Sequence, residues 1–336
     1  MKKILVTGGL GYIGSHTVVE LQSAGYDVVV IDNLENSSQD VKDRITKISS
    51  RPIELVVGDV NDEQTMNRLF MEHNFYGVIH FAAYKAVGES VDNPIKYYQN
   101  NIAGLICLLG AMNKHGVQNL IFSSSCTVYG EAEDLPVTED TPIKSAESPY
   151  GTTKIIGEQI IQDYAKHKNL KTVLLRYFNP VGAHPSAQIG ELPNGVPSNL
   201  VPYITQTAAG IREQLVIHGN NYNTSDGTCI RDYIHVVDLA KAHVKAMTYA
   251  DNMTDSVEVF NVGTGHGSTV LEVVRAFEKQ SNVNLNYTIG PRRDGDVEQI
   301  FADTQKINTV LEWQAEYDIN DMMYHAWMWQ KSIVKK

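Results

Sequence analysis

Cysteine is scarce in this chain. Cys107, Cys126 and Cys229 are the whole supply, widely spaced and without a CxxC pair. That weighs against a disulfide framework or a zinc site and suits reduced thiols in a cytoplasmic protein. Positive charge is also short: 28 Lys and Arg against 39 Asp and Glu leave a formal net charge of −11. Such a balance disfavours a broad nucleic-acid or anionic-membrane surface, so an anionic substrate has to be held by a few local cations. No apolar run approaches the ~20 residues of a membrane span. Met1-Lys2-Lys3 passes straight into Ile4-Leu5-Val6, too short a stretch for a signal-peptide core. The histidines show no HxxxH or HExxH spacing, and no metal is expected. Repeats and low-complexity tracts are missing too.

What is present is a chain of 336 residues with 43% hydrophobic content, enough for one large α/β domain or for a cofactor half and a substrate half. Short runs rich in Val and Ile at 3–7, 27–31, 53–57, 77–82, 119–124 and 171–177 read as strands. Amphipathic segments at 14–25, 62–73, 94–115 and 149–167 lie between them. This alternation predicts a Rossmann-like, doubly wound parallel sheet. After Asn179 the texture becomes loop-rich, with Pro180, Gly182, Pro185, Gly190, Pro193, Gly195 and Pro197. The expected division is a cofactor domain over 1–180 and a smaller C-terminal α/β substrate domain over 181–336, with segments near 230–263 returning to the first.

The loop Thr7-Gly8-Gly9-Leu10-Gly11-Tyr12-Ile13-Gly14 follows a strand and opens a helix. Glycines at Gly8, Gly11 and Gly14 permit a tight turn and close approach of backbone N–H groups to a pyrophosphate, which the helix N-terminus favours. Alone the pattern is weak. Here Asp32 follows by roughly 20 residues, at the end of the next strand, where a carboxylate accepts from ribose hydroxyls and repels a 2′-phosphate. NAD is therefore favoured over NADP. Asp59 ends the third strand and could meet the adenine, although by itself it reads as a turn residue. Gly263-Thr264-Gly265-His266-Gly267 resembles a second glycine loop but lacks an acidic partner, and its helix has its own capping box in Thr269 and Glu272, so it reads as a structural turn.

Ser148-Pro149-Tyr150-Gly151-Thr152-Thr153-Lys154 has the form of a helix start, with Ser148 as cap and Pro149 in the first turn. Tyr150 and Lys154 then share a helix face. A phenol titrates near pH ~10 and is a poor base at neutrality, but a neighbouring ammonium and a positively charged nicotinamide favour the phenolate. Tyr-x-x-x-Lys is common by chance. This one lies downstream of Phe122-Ser123-Ser124-Ser125 at a strand end, the edge of a parallel sheet where ligands bind. Ser125 can relay a proton, although three serines also suit a plain strand-ending turn. His80, inside an apolar strand, reads as a core residue, and Trp313, Trp327 and Trp329 as core or interface packing.

These motifs, with DNLENS (32–37), HFAAYKAVGESV (80–91), FSSSCTVYG (122–130), LLRYFNPVGAHPS (174–186), DGTCIRDYIHVVDLA (226–240) and PRRDGD (291–296), run in order along nearly the whole chain. The sequence resembles the extended short-chain dehydrogenase/reductases that act on nucleotide sugars, and most closely their 4-epimerase branch. The resemblance implies interconversion of UDP-glucose and UDP-galactose through a 4-keto sugar, with NAD retained through turnover. It implies an NAD site of Tyr12, Ile13, Asp32, Asn33, Leu34, Asn36 and Ser37, then Asp59, Val60, Phe81, Ala82, Ala83, Lys85 and Asn100, closed by Ser125, Tyr150, Lys154 and Phe178. For the UDP-sugar it implies Lys85, Ser125, Tyr150, Asn179, Asn199 and Leu200, then Val216, His218, Arg231, Arg293, Asp296 and Ile300. It also implies a homodimer joined through helices packed side by side.

Two departures matter. Related dehydratases carry an acidic pair directly after the Ser125 position, where this chain has Cys126 and Thr127, so loss of water is disfavoured. Ile300 stands where related epimerases carry a residue that gates sugar size. Its intermediate bulk leaves UDP-GlcNAc open as a substrate. Alternatives are another UDP-sugar transformation, such as epimerisation of UDP-glucuronate or a UDP-N-acetylhexosamine, and an NAD-sensing regulator without catalysis. Against the regulator stands the intact set of Ser125, Tyr150 and Lys154.

Overall fold

The computed structural model describes residues 1–293 and 296–334. Asp294 and Gly295, within the PRRDGD segment, lie outside the described residues. Six strands open the chain: β1 (Lys3–Thr7), β2 (Asp27–Asp32), β3 (Glu54–Val57), β4 (Gly77–His80), β5 (Asn119–Ser125) and β6 (Lys171–Tyr177). Between them come α1 (Tyr12–Ser23), α2 (Asp40–Ser49), α3 (Glu63–Glu72), α4 (Val87–Asp92), α5 (Pro94–Tyr97), α6 (Ala103–His115) and α7 (Pro149–His167). The chain then departs through β7 (Asn179–Val181), α8 (Leu200–Ala208), β8 (Leu215–His218), β9 (Ile230–His235) and α9 (Val236–Tyr249). It returns as β10 (Val257–Val262), which pairs parallel with β6 and completes a seven-stranded sheet in the order β10-β6-β5-β4-β1-β2-β3. This is the Rossmann-like doubly wound sheet that the alternating pattern predicts.

The central strands are apolar on both faces because helices cover both. Ile4 and Val6 of β1 point to one side with Val28, Val30, Val18 and Leu239. Leu5 points to the other with Val29, Ile31, Met66 and Leu105. At about 1.5–3 kcal/mol for each large apolar side chain removed from water, these two layers dominate the stability of the sheet.

The remaining elements are β11 (Gly267–Thr269), α10 (Val270–Ser281), β12 (Tyr287–Gly290), β13 (Gln299–Ile300), α11 (Gln305–Val310) and α12 (Ile319–Val334). A small sheet of β11, β9 and β13, with β7 on β9, and a two-stranded β12-β8 pair lie outside the large sheet. They share a core of Val201, Ile204, Phe277, Met322 and Met323. The second glycine loop is structural: Thr269 and Glu272 form a complete capping box on α10. His80 is buried against the Thr7 hydroxyl at 2.7 Å, and Trp313 and Trp329 are buried. The segment read as one helix over 94–115 is interrupted by a π turn at Tyr98–Ile102, which sequence periodicity does not reveal. No described helix is long and apolar enough to cross a membrane.

Candidate active site

The glycine loop is shaped by contacts only glycine permits. Gly8 sits at φ +67°, and a Cβ there would lie 2.8 Å from the Ala82 amide nitrogen. A Cβ on Gly14 would lie 2.3 Å from the Gly8 carbonyl. The start of α1 has no side-chain cap at Gly11, so its first-turn amides are left for an acceptor from outside. Asp32, at the end of β2, is buried, and its carboxylate accepts from the Leu10 and Leu34 amides and from the Ser37 hydroxyl. Leu34 turns the chain at φ +62°. Asn33 donates to Asp59, and burial works against the Asp59 charge while hydrogen bonds from Asn61 and Asn33 hold its carboxyl below the ordinary range. This uncapped cradle with an aspartate at its rim fits a dinucleotide. Phe81, Ala82 and Ala83 follow β4 alongside it, the Ala82 amide donating to Thr7 Oγ1. Asn100 lies in the π turn, within reach of Asn61. Ile13, Val60 and Phe178 are apolar parts of the core, and Asn36 is exposed.

Three serines end β5, and their partners sort them. Ser123 pairs its hydroxyl with Tyr177, and Ser124 donates to Glu158. Ser125 remains, and it is the hydroxyl that bears on the Tyr150 phenol. Ser148 caps α7 by accepting from the Gly151 amide at 3.2 Å, which presents Tyr150 in the first turn. Lys154, buried, donates to the Ser123 carbonyl at 2.6 Å and lies 5.8 Å from the centre of the Tyr150 ring.

In the protein alone burial pushes Tyr150 up to about 12, and the Ser125 hydroxyl works the other way. Burial pushes Lys154 down to about 8. Burial works against the charged form of both groups; the lysine still keeps its proton at neutral pH, whereas the phenolate requires a further positive charge.

Across the carboxyl edge of the sheet lies a cleft of about 210 Å³. It brings together Asn179, Asn199, Leu200, Val216, His218, Arg231, Arg293 and Asp296, drawn from five separate segments. Asp296 pairs with both arginines, at 3.4 Å and 2.8 Å. Cys126 stands in the field of Arg231 and beside Tyr150, which ties the cleft to the catalytic corner. Ile300 and Lys85 are not part of this lining. Ile300 is buried in an apolar cluster with Cys126 and Phe178 and is the register partner of Arg231. Lys85 is engaged with Glu191 at 3.0 Å, and Asn199 donates to the same oxygen at 2.7 Å. Glu191 carries no sequence signal of its own. Glu158 does, standing one turn past Lys154.

A parallel sheet with a glycine cradle, an acidic rim and a buried Ser-Tyr-Lys set defines a short-chain dehydrogenase/reductase with a cleft for an anionic substrate. The family described as GDP-mannose 4,6 dehydratase matches residues 5–326. A UDP-glucose 4-epimerase of Bacillus subtilis is 50% identical over 332 residues, covering 98% of this chain and 97% of that protein. A UDP-glucose 4-epimerase from Stenotrophomonas maltophila, with bound NAD and formylated UDP-arabinopyranose, superposes with a TM-score of 0.97 at 47% identity, over 100% of this chain and 99% of that one. One from Bifidobacterium longum, in complex with NAD+ and UDP, gives 0.94 at 48% identity over 98% of each. The chain belongs to this family of nucleotide-sugar enzymes, in its UDP-glucose 4-epimerase group.

Proposed function

We propose that the protein is an NAD-dependent UDP-glucose 4-epimerase, interconverting UDP-glucose and UDP-galactose in nucleotide-sugar and galactose metabolism. The observation that carries this reading is the buried Tyr150 phenol, with Ser125 beside it and Lys154 one turn along, at the sheet edge shared with the glycine cradle.

NAD, when bound, supplies reversible acceptance of the C4 hydride and a ring charge that favours the phenolate. The chain's own residues do the rest. Tyr150 takes the proton of the sugar 4-hydroxyl and later returns it, with Ser125 relaying. Lys154 supplies a buried cation beside the phenol. Arg231 and Arg293 hold the diphosphate, so the hexose can turn about a fixed anchor and present its other face. Asp32 receives the adenosine ribose, with Gly8, Gly11, Tyr12, Ile13 and Gly14 under the pyrophosphate. Cys126 and Thr127 offer no acid–base pair for eliminating water, which supports epimerisation over dehydration.

Included in the reading are a cofactor domain over 1–180 rejoined by β10, a substrate domain over 181–336, a cytoplasmic location and a homodimer. Apolar Ile95 and Ile106, exposed on α5 and α6, support a helix-to-helix dimer face, which sedimentation of the purified protein tests. The activity is tested by supplying UDP-glucose and UDP-GlcNAc separately and following product and reduced nicotinamide absorbance. Epimerised product bears the proposal out. Bound NAD with no turnover of any UDP-sugar makes the protein a sensor instead.

A further inference from the structure

Two residues of β5 are pinned by two consecutive turns of α7. Ser123 accepts from Lys154 through its carbonyl, and Ser124 donates through its hydroxyl to Glu158. Glu158 is fully buried and bound at both oxygens by Arg176, at 2.9 Å and 2.7 Å. Arg176 is the register partner of Ser124 on β6. Its other arm turns away from α7, to the Tyr129 hydroxyl at 3.1 Å and the Glu139 carbonyl at 3.4 Å. The pair is thus a buried dipole whose negative end shares a helix with Lys154.

We propose that Glu158 is a positioning residue for the epimerisation: it locks the register of α7 on β5 and keeps Lys154 charged. The inference rests on the role of Lys154 given above. The groups facing Lys154 leave Glu158 as its anion. From α7 these are Tyr150 and Glu158, and from β5 the Ser123 carbonyl and the Phe122 ring at 5.2 Å. From β4 comes His80, which burial pushes down to about 3 and so keeps neutral. From β6 come Tyr177, whose phenol burial raises, and Arg176. Burial alone drives the lysine toward its neutral form, and Glu158 opposes that. A carboxylate enclosed with its counter-ion acts more strongly there than on the surface, because little water screens it.

The test is kcat against pH in the NAD-loaded enzyme carrying Glu158→Gln, with melting temperature followed alongside. The expected result is an alkaline limb moved toward neutrality by about one pH unit, since an opposite charge shifts a titration on that scale. A folded, NAD-retaining E158Q enzyme with an unmoved alkaline limb overturns the proposal. Should Glu158→Gln not fold, the double variant E158Q/R176M removes the orphaned guanidinium and carries the same reading: a moved limb supports it and an unmoved one overturns it. Lys154→Met separates the two layers. Wild-type kcat and pH profile in K154M would sink the role of the lysine itself, whatever Glu158 does.

Discussion

At the residue scale the central fact is a phenol that burial holds neutral, up to about 12, in the protein alone. On the proposed mechanism the tyrosine is a base in waiting, released by the charge of the oxidised cofactor. Saturation with NAD is expected to lower the Tyr150 titration, because an added positive charge favours the phenolate. Ultraviolet difference spectra of tyrosinate, recorded against Tyr150→Phe, check this, and a midpoint unaffected by NAD would remove the cofactor from the ionisation. Tyr150→Phe is expected to lose roughly 10²–10⁴-fold in kcat while keeping NAD, the range for removing a general base. Asp32→Ser should narrow the preference for NAD over NADP, measured as the ratio of the two Kd values. Equal ratios in both proteins would end the ribose role. The candidate catalytic residues are legible in the sequence because the proposed chemistry demands a fixed spacing: one turn between Tyr150 and Lys154, one strand end for Ser125. Glu191 was not legible. Its carboxylate meets Lys85 and Asn199 only through the folding of a long loop, and no short-range pattern records such a meeting.

At the scale of elements, the same contrast divides the fold. β1, β6 and α7 match their sequence-based bounds because buried parallel strands are continuous apolar runs and α7 announces itself with a Ser-Pro cap. α2 and the π turn did not announce themselves. α2 is half-buried, and its apolar stripe is only three residues wide, Ile45 buried with Val41 and Ile48 beside it, among seven polar or charged residues. The π turn is imposed by tertiary bonds, Asn101 donating to Thr153 and to the Tyr84 carbonyl. Two elements yield predictions. Ser148→Ala removes the α7 cap and is expected to cost about 1 kcal/mol in urea unfolding. Its kcat should fall as well, because the first turn carries Tyr150. Gly14→Ala drives a methyl into the Gly8 carbonyl, and the purified protein is expected to come without NAD. Retention of NAD in that variant would mean that the cradle is not where the pyrophosphate lies.

On the scale of the whole molecule, buried histidines set an acid limit. Burial pushes His235 down to about 2, His16 and His80 to about 3, and His243 and His184 to about 4. In the unfolded chain each binds a proton near pH ~6.5, which the folded chain does not take up until about pH 4 or below. The unfolded state therefore binds more protons over that window, and stability is lost as pH falls from ~6.5 toward 4. Asp238, which burial raises to about 6, works in the opposite direction, as do Glu20, Glu139 and Asp232, whose carboxyls burial also raises, while His325 adds to the side of the histidines. A melting temperature that drops between pH 7 and pH 5 is expected. A flat profile there would mean these histidines are accessible to protons in the fold. The same long-range packing bears on the seat of the sugar nucleotide. Trp329 of α12 lies flat on Gly190, leaving no room for a methyl, and donates to the Glu191 carbonyl, while Ser332 holds the Ala187 carbonyl. The strap that reaches Lys85 and Asn199 is thus seated by the final helix. The glycine cradle makes none of these contacts with α12, so loosening that helix should weaken the seat of the sugar nucleotide while leaving the cofactor cradle in place.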